Sequence, residues 1–283
     1  DGSYEHIVKK FEGDIVPLRL PQNFGYAGAI DLAYMKFYNY LTDTFFIANN
    51  DLIITDISII RRIYRIMEKD KSVASGGGVL LSANQRINSA GFIVDKLGLV
   101  HNLCENTRLD ECEIIGSIFN TSFISGGFTL FRKKYIRVLP DRTVFPIYGF
   151  MYLDDIITGL YFSQLGFKNV VVGEPLGIHF ESLSLVSERK AFLLGRALAI
   201  QRRIVDAPLR KLLIPYKKLI AIKHALRSRT LRTSFNRGWK VGEKEYLERK
   251  SYWDRYRINI NIVLHYNSSI KTLKRILKFI QSR

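Results

Sequence analysis

A short apolar run, Thr44-Phe45-Phe46-Ile47-Ala48, stops abruptly at Asn49-Asn50-Asp51, and a helical period follows from about Asp56 to Glu68. A buried strand that ends in a polar loop and continues as a helix is the repeating unit of layered α/β domains. The succession recurs along the chain. Apolar side chains at Tyr26, Ala29, Ile30, Ala33, Tyr34, Phe37, Tyr40 and Leu41 predict a helix over 26–41, and 154–165 has the same spacing before Gly166 stops it. Strands are predicted over 14–20, 73–75, 124–131 and 169–172, with Pro17 confining the first to a sheet edge. The fold class is therefore α/β with a largely parallel sheet, and ligands of such sheets collect at the carboxyl ends of the strands. The 49–51 loop lies at such an end.

Charge divides the 283 residues unevenly. Residues 1–181 carry 18 Lys and Arg against 20 Asp and Glu, whereas 182–283 carry 25 against 6. This predicts a near-neutral body, 1–181, and a basic C-terminal region, 182–283, that meets something anionic. An apolar content of 47% excludes a disordered or collagenous chain. No run of about 18 apolar residues is present to span a membrane, and no charged-then-apolar leader opens the sequence. It begins at Asp1-Gly2-Ser3 without a methionine, as a piece of a longer chain would. Two cysteines, Cys104 and Cys112, make neither a disulfide framework nor a zinc site by themselves; read as reduced, they imply a cytosolic setting.

Three polar clusters bear on chemistry, and each has two readings. Asp51 and Asn49 either cap the helix that follows or hold a hard divalent cation through oxygen. Asp154-Asp155, at a helix start, either complements the helix dipole or supplies a general base. His179 is either a satisfied core histidine or a ligand. Gly25, Gly28, Gly126 and Gly127 individually report turns. Gly76-Gly77-Gly78 lacks the Gly-Lys-Ser/Thr ending of a phosphate loop, which excludes that motif.

Taken in order, Asp1-Gly2-Ser3, Asn23-Phe24-Gly25-Tyr26-Ala27-Gly28-Ala29, Phe46-Ile47-Ala48-Asn49-Asn50-Asp51, Ile124-Ser125-Gly126-Gly127-Phe128, Tyr152-Leu153-Asp154-Asp155 with Leu165-Gly166-Phe167, and Gly177-Ile178-His179 resemble one family. The pattern is similar to the family-two inverting glycosyltransferases of the GT-A fold, nearest their rhamnosyltransferase and galactofuranosyltransferase-like members, and covers about residues 1–181. The resemblance implies a GT-A, Rossmann-like mixed sheet flanked by helices. It also implies a nucleotide-diphospho-sugar donor, a glycan or lipid-linked acceptor of cell-surface polysaccharide synthesis, and Mg²⁺ or Mn²⁺ held by Asp51, Asn49 and His179. It makes Asp155 the catalytic base and Asp154 an acceptor contact. Asp1, Asn23, Gly25, Gly28, Asn50, Ser125, Gly126 and Gly127 fall to the donor. Asn49 departs from the metal motif's usual aspartate. The family also has a strand, a helix and a second strand before the position of Asp1, and this sequence starts after them. The alternative is a degenerate transferase body that binds nucleic acid or acts as a scaffold through its basic region, although no recognised nucleic-acid module is present.

Residues 186–205 and 209–232 alternate apolar and basic positions at helical spacing, with Pro215 separating two helices, and 270–280 keeps that spacing to the end. Such segments suit an anionic membrane surface, here the cytoplasmic face, or packing on the body. Trp239, Tyr246, Tyr252, Trp253 and Tyr256 fit an interfacial belt, a sugar-stacking surface or base stacking. Ile258 to Ile262 alternates like a short strand.

Overall fold

The computed structural model describes residues 3–96, 98–152, 154–180, 187–207 and 228–260. Chain order is α1 (Ser3–Lys10), α2 (Gly25–Phe37), β1 (Thr44–Ala48), β2 (Leu52–Ile54), α3 (Ile57–Lys69), β3 (Val73–Leu81), β4 (Ile87–Ser89), β5 (Phe92–Val94), β6 (Val100–Asn102), β7 (Ile118–Thr121), β8 (Phe128–Arg132), α4 (Lys133–Ile136), α5 (Asp154–Gln164), β9 (Lys168–His179), α6 (Ser187–Ile204), β10 (Val205–Asp206), α7 (Arg229–Glu248), α8 (Lys250–Asp254) and β11 (Ile258–Asn259).

Among the described residues the central sheet runs β1-β8-β3-β9-β2, with β4 added to β3 and β7 to β9. The largely parallel sheet expected from the alternation is not what forms. Only β3 and β9 pair in parallel within this sheet, and the other ladders are antiparallel. The chain returns through β7 and β8 without a crossover helix, so antiparallel pairing follows. β1 and β9 nevertheless point the same way, and both end at the edge of the sheet where β8 begins.

Sequence explains the layering. Asp56 accepts the Ser58 N–H at 2.8 Å and caps α3. Ile59, Ile63 and Met67, at helical spacing, then pack on Val73, Leu80, Leu130 and Val170. On the opposite face Ala27 and Tyr34 of α2 and Phe162 of α5 pack with Ile47, Ala74, Phe131 and Phe145. The three-glycine run lies within the fully buried β3. A Cβ on Gly76 would stand 2.4 Å from Ile63, one on Gly77 2.5 Å from Ile124, and one on Gly78 2.9 Å from Leu176. These glycines let neighbours close on both faces of a central strand, which agrees with rejecting a phosphate loop.

Several expectations change. Residues 15–20 form no strand: Val16 is 75% exposed, and Pro17 has no N–H to offer a neighbour. Gly173-Glu174-Pro175, a composition that suits a turn, is a bulged part of β9, where the register against β3 shifts between Gly78 and Leu80. The cysteines are not reduced. Cys104 and Cys112 are joined as a disulfide with their Cα atoms 5.8 Å apart, because the 103–112 loop folds back over the small core under β4. The argument from reduced thiols to a cytosolic setting therefore lapses.

The 181/182 charge boundary falls between β9 and α6, yet packing does not stop there. Ile157 and Leu160 of α5 share a core with Ile200 and Ile204 of α6, Tyr246 of α7, Trp253 of α8, Tyr256 and Ile258. The aromatic residues read as a belt or stacking surface are core instead: Trp253 and Tyr256 are fully buried, and Trp239 and Tyr246 nearly so. Arg189, Arg203, Arg232, Arg237 and Lys240 on α6 and α7 project from a packed layer, whereas Arg196 is buried in it. No described helix is long and apolar enough to cross a membrane. The segments 209–227 and 261–283, which carry the remaining helical expectations, lie outside the described residues.

Candidate active site

Three loops meet at one edge of the sheet. The 49–51 loop leaves β1, the Ser125-Gly126-Gly127 loop enters β8, and His179 closes β9. The Asn49 N–H donates to Gly127 O at 3.0 Å, and the Phe180 N–H donates to Asp51 O at 2.9 Å. Leu52 of β2 is in register with His179. Backbone pairing therefore brings Asp51, Asn49, Gly127 and His179 together from positions 130 residues apart in sequence.

His179 Nε2 lies 3.0 Å from Asp51 Oδ1 and 3.2 Å from Asn49 Nδ2. Its Nδ1 faces Asn88 Oδ1 at 3.0 Å. Since Asn88 Oδ1 only accepts, Nδ1 must carry a proton. In the neutral ring Nε2 then accepts from Asn49 Nδ2, with Asp51 Oδ1 beside it, so that two acceptor atoms stand where a cation would fit. Asn49 Oδ1 is buried with no hydrogen-bond partner among the described residues. Adjacent ligands of an octahedral cation at about 2.1 Å stand roughly 3 Å apart, the spacing seen here. Among the described residues no cluster of three His, Cys, Asp or Glu side chains could hold a metal. The Asp51 carboxylate and the His179 imidazole would suit a divalent cation, with the unpartnered Asn49 Oδ1 as a further oxygen donor nearby.

Across the glycine loop stands Asp155, in the first turn of α5. Its Oδ2 accepts the Gly126 N–H at 3.0 Å, and its Oδ1 accepts the Ile156 N–H at 2.8 Å. Burial nonetheless raises its pKa above the usual carboxylate range, outweighing those backbone hydrogen bonds. Each carboxylate oxygen retains a second lone pair for an incoming hydroxyl. Tyr26 donates its phenol hydrogen to Gly126 O at 2.5 Å. Burial, then the carboxylates of Asp154, Asp155 and Asp51, push that phenol well above 10, so it stays a donor. These groups therefore gather around the Gly126–Gly127 loop. A Cβ at Gly126 would lie 3.5 Å from Asp155 Oδ2, and one at Gly127 3.2 Å from the His179 ring. Larger residues would fill the gap between base and cation site.

The remaining predicted positions are less central. Asn23 Oδ1 accepts the Gly25 N–H at 2.8 Å and opens α2. Gly25, at φ +73°, lies so close to Phe150 that a Cβ would stand 2.5 Å from its ring. Gly28 follows one turn on, and Asn50 is exposed at the tip of its loop. Asp154 is 3% exposed, beneath Gly149. Asp1 lies outside the described residues. A cavity of 380 Å³ between β1 and α3, lined by Phe46, Ile60, Arg61, Tyr64 and Arg65, contains none of these residues.

No family model matches this sequence, and no curated protein does. Among solved structures it is similar to the crystal structure of GalNAc-T7 with UDP, GalNAc and Mn²⁺, with a TM-score of 0.54 and 11% identity over 88% of this chain and 48% of that one. The chain has a GT-A-like fold. It spans about half the length of that neighbour. Asp51, Asn49, His179, Ser125, Gly126, Gly127 and Asp155 lie around the same edge of the sheet.

Sequence reasoning missed Tyr26 as a polar participant, because the helical period assigned it to a core face. It also missed Asn88, a single amide in the 82–122 stretch that no spacing marks. The turn at 148–152 was equally silent, although Phe150 and Tyr152 both have positive φ, at 65° and 66°.

Proposed function

We propose that the chain is a glycosyltransferase that moves a sugar from a nucleotide-diphospho-sugar to an acceptor hydroxyl of a glycan or lipid-linked glycan, with inversion. The observation that carries this reading is the Gly126–Gly127 floor, with Asp155 on one side and Asp51, Asn49 and His179 on the other. Asp155 takes the proton of the acceptor hydroxyl as its oxygen attacks the anomeric carbon, and the diphosphate leaves from the opposite face. The raised pKa of Asp155 brings it nearer to the operating pH, where a general base is most effective. Tyr26 stays protonated and holds Gly126 O, keeping the floor flat beneath the sugar. Asp51, Asn49 and His179 would hold Mg²⁺ or Mn²⁺, which supplies Lewis-acid stabilisation of charge on the leaving diphosphate. Asp154, being buried, supports the turn above it, and its contact with an acceptor requires that turn to open. Association of the basic C-terminal region with an anionic membrane surface is proposed on charge alone.

Titration of the chain with UDP, GDP and dTDP, each with and without Mn²⁺, tests the donor site. Metal-dependent binding of one nucleotide is expected, and binding by none refutes a working donor site. The anomeric configuration of a product sugar, read by NMR, tests inversion.

A further inference from the structure

Arg196 of α6 is 8% exposed, and four of its five guanidinium N–H groups donate to protein acceptors. Its Nη1 donates to Gly149 O at 2.8 Å and its Nη2 to Tyr148 O at 2.7 Å. Glu245 of α7 grips the other side in bidentate fashion, taking Nε at 2.8 Å and Nη2 at 2.6 Å. A buried charge so placed is costly to leave half-paired, and this one is paired to hold two backbone carbonyls of a loop in the other half of the chain.

That loop touches both α2 and the start of α5. A Cβ on Gly149 would stand 3.3 Å from Ala27 and 3.5 Å from Asp154. Phe150 O accepts the Ala27 N–H at 3.2 Å. Phe150 and Tyr152 hold left-handed backbone that a non-glycine residue adopts only when its surroundings impose it. α5, with Asp155 in its first turn, begins directly after this segment. The Arg249 guanidinium lies 4.6 Å from the Tyr148 ring centre, and just upstream Arg255 pairs with Asp141 at 2.8 Å and Tyr252 donates to it. The two helices meet closely enough to make the Arg196–Glu245 pair because the seam is glycine. A Cβ on Gly238 would stand 1.9 Å from Phe192 O, and one on Gly242 2.4 Å from Arg196 O.

We infer that Arg196, fixed by Glu245, is a positioning residue that sets the 148–152 turn and through it the placement of Asp155. The inference rests on the proposed role of Asp155. It makes the C-terminal helix pair part of the catalytic unit, not an appendage that only localises it.

The test compares the full chain with Arg196→Met, Arg196→Lys, Glu245→Gln and Asp155→Asn, reading kcat, nucleotide affinity and amide exchange at 148–152. Arg196→Met is expected to lower kcat by the order of 10²-fold, the size of loss that slight misplacement of a catalytic group produces. Nucleotide affinity should stay within about twofold, since no donor contact is lost. Exchange at 148–152 should quicken while β3 and β9 stay protected. Arg196→Lys should recover part of kcat, because lysine keeps the charge but not the fork. If Arg196→Met fails to fold, Glu245→Gln provides the same readout with a smaller loss. Where Asp155→Asn is inactive, wild-type kcat in the folded Arg196 and Glu245 variants overturns the inference. Where Asp155→Asn transfers normally, the base assignment falls on its own account, and unchanged exchange at 148–152 overturns the clamp separately.

Discussion

Replacing Asp31 by asparagine should stabilise this protein, and increasingly so as pH rises. Asp31 sits in α2 at 2% exposure, with Oδ1 accepting the Phe145 N–H at 3.0 Å and Oδ2 without a partner among the described residues. Burial first, then Asp141 and Asp154, push its pKa up from 3.8 to about 8, against the backbone hydrogen bonds that lower it. A carboxyl whose folded pKa exceeds its unfolded value contributes stability that is complete below the unfolded pKa and is lost as pH rises through the folded one. With each tenfold in ionisation worth about 1.4 kcal/mol, the loss is about 1.7 kcal/mol at pH 5 and about 4 kcal/mol at pH 7. The substituted amide keeps the acceptor for Phe145 and never ionises. The gain of Asp31→Asn should therefore grow by roughly 2.5 kcal/mol between pH 5 and pH 7, read from urea unfolding at half-unit steps. A difference between the two proteins that does not vary with pH would refute a buried, protonated Asp31.

Asp155→Asn should retain nucleotide binding by calorimetry while losing about 10²- to 10⁴-fold in transfer. In the wild type, kcat/KM should fall on acidification with a midpoint above the ordinary carboxylate range, because burial holds the Asp155 pKa up and protonation removes the base. Asp51→Asn and His179→Ala should each weaken Mn²⁺-dependent nucleotide binding by about 10- to 100-fold, with little effect on binding without metal. Trp253→Ala should cost about 3–5 kcal/mol and lower the single unfolding transition of body and C-terminal region together. Reducing the Cys104–Cys112 bond, which spans 8 positions, should cost about 2.5 kcal/mol in urea unfolding, with alkylation and mass measurement reporting the freed thiols.

Local periodicity made α2, α3 and α5 legible, because each buries one face in a regular rhythm, and β1 was legible as an unbroken apolar run. The loops of the candidate site were legible for a related reason: loops at strand ends are short, so their polar residues stay contiguous in sequence. Pairing direction was not legible, since alternating strands and helices read alike whether the chain returns through a helix or through β7. The aromatic residues of 239–256 misled because a tryptophan among arginines looks the same whether a membrane, a sugar or another helix covers it; only the cluster around Ile157 and Leu160 decides. Arg196 and Asn88 carried no local signal, because each acts on backbone or side chains about 50 and 90 residues away.

Helix α5 faces two ways. Its first turn carries Asp155 toward the sheet edge, while Ile157 and Leu160 press into the core that α6 and α8 complete. A polypeptide ended at residue 181, although it would contain every motif of the glycosyltransferase pattern, would leave those two side chains in water and the carbonyls of Tyr148 and Gly149 without their arginine. Such a fragment should come out of expression insoluble or dye-binding instead of as a minimal enzyme, so the shortest soluble active unit is expected to reach at least through Tyr256.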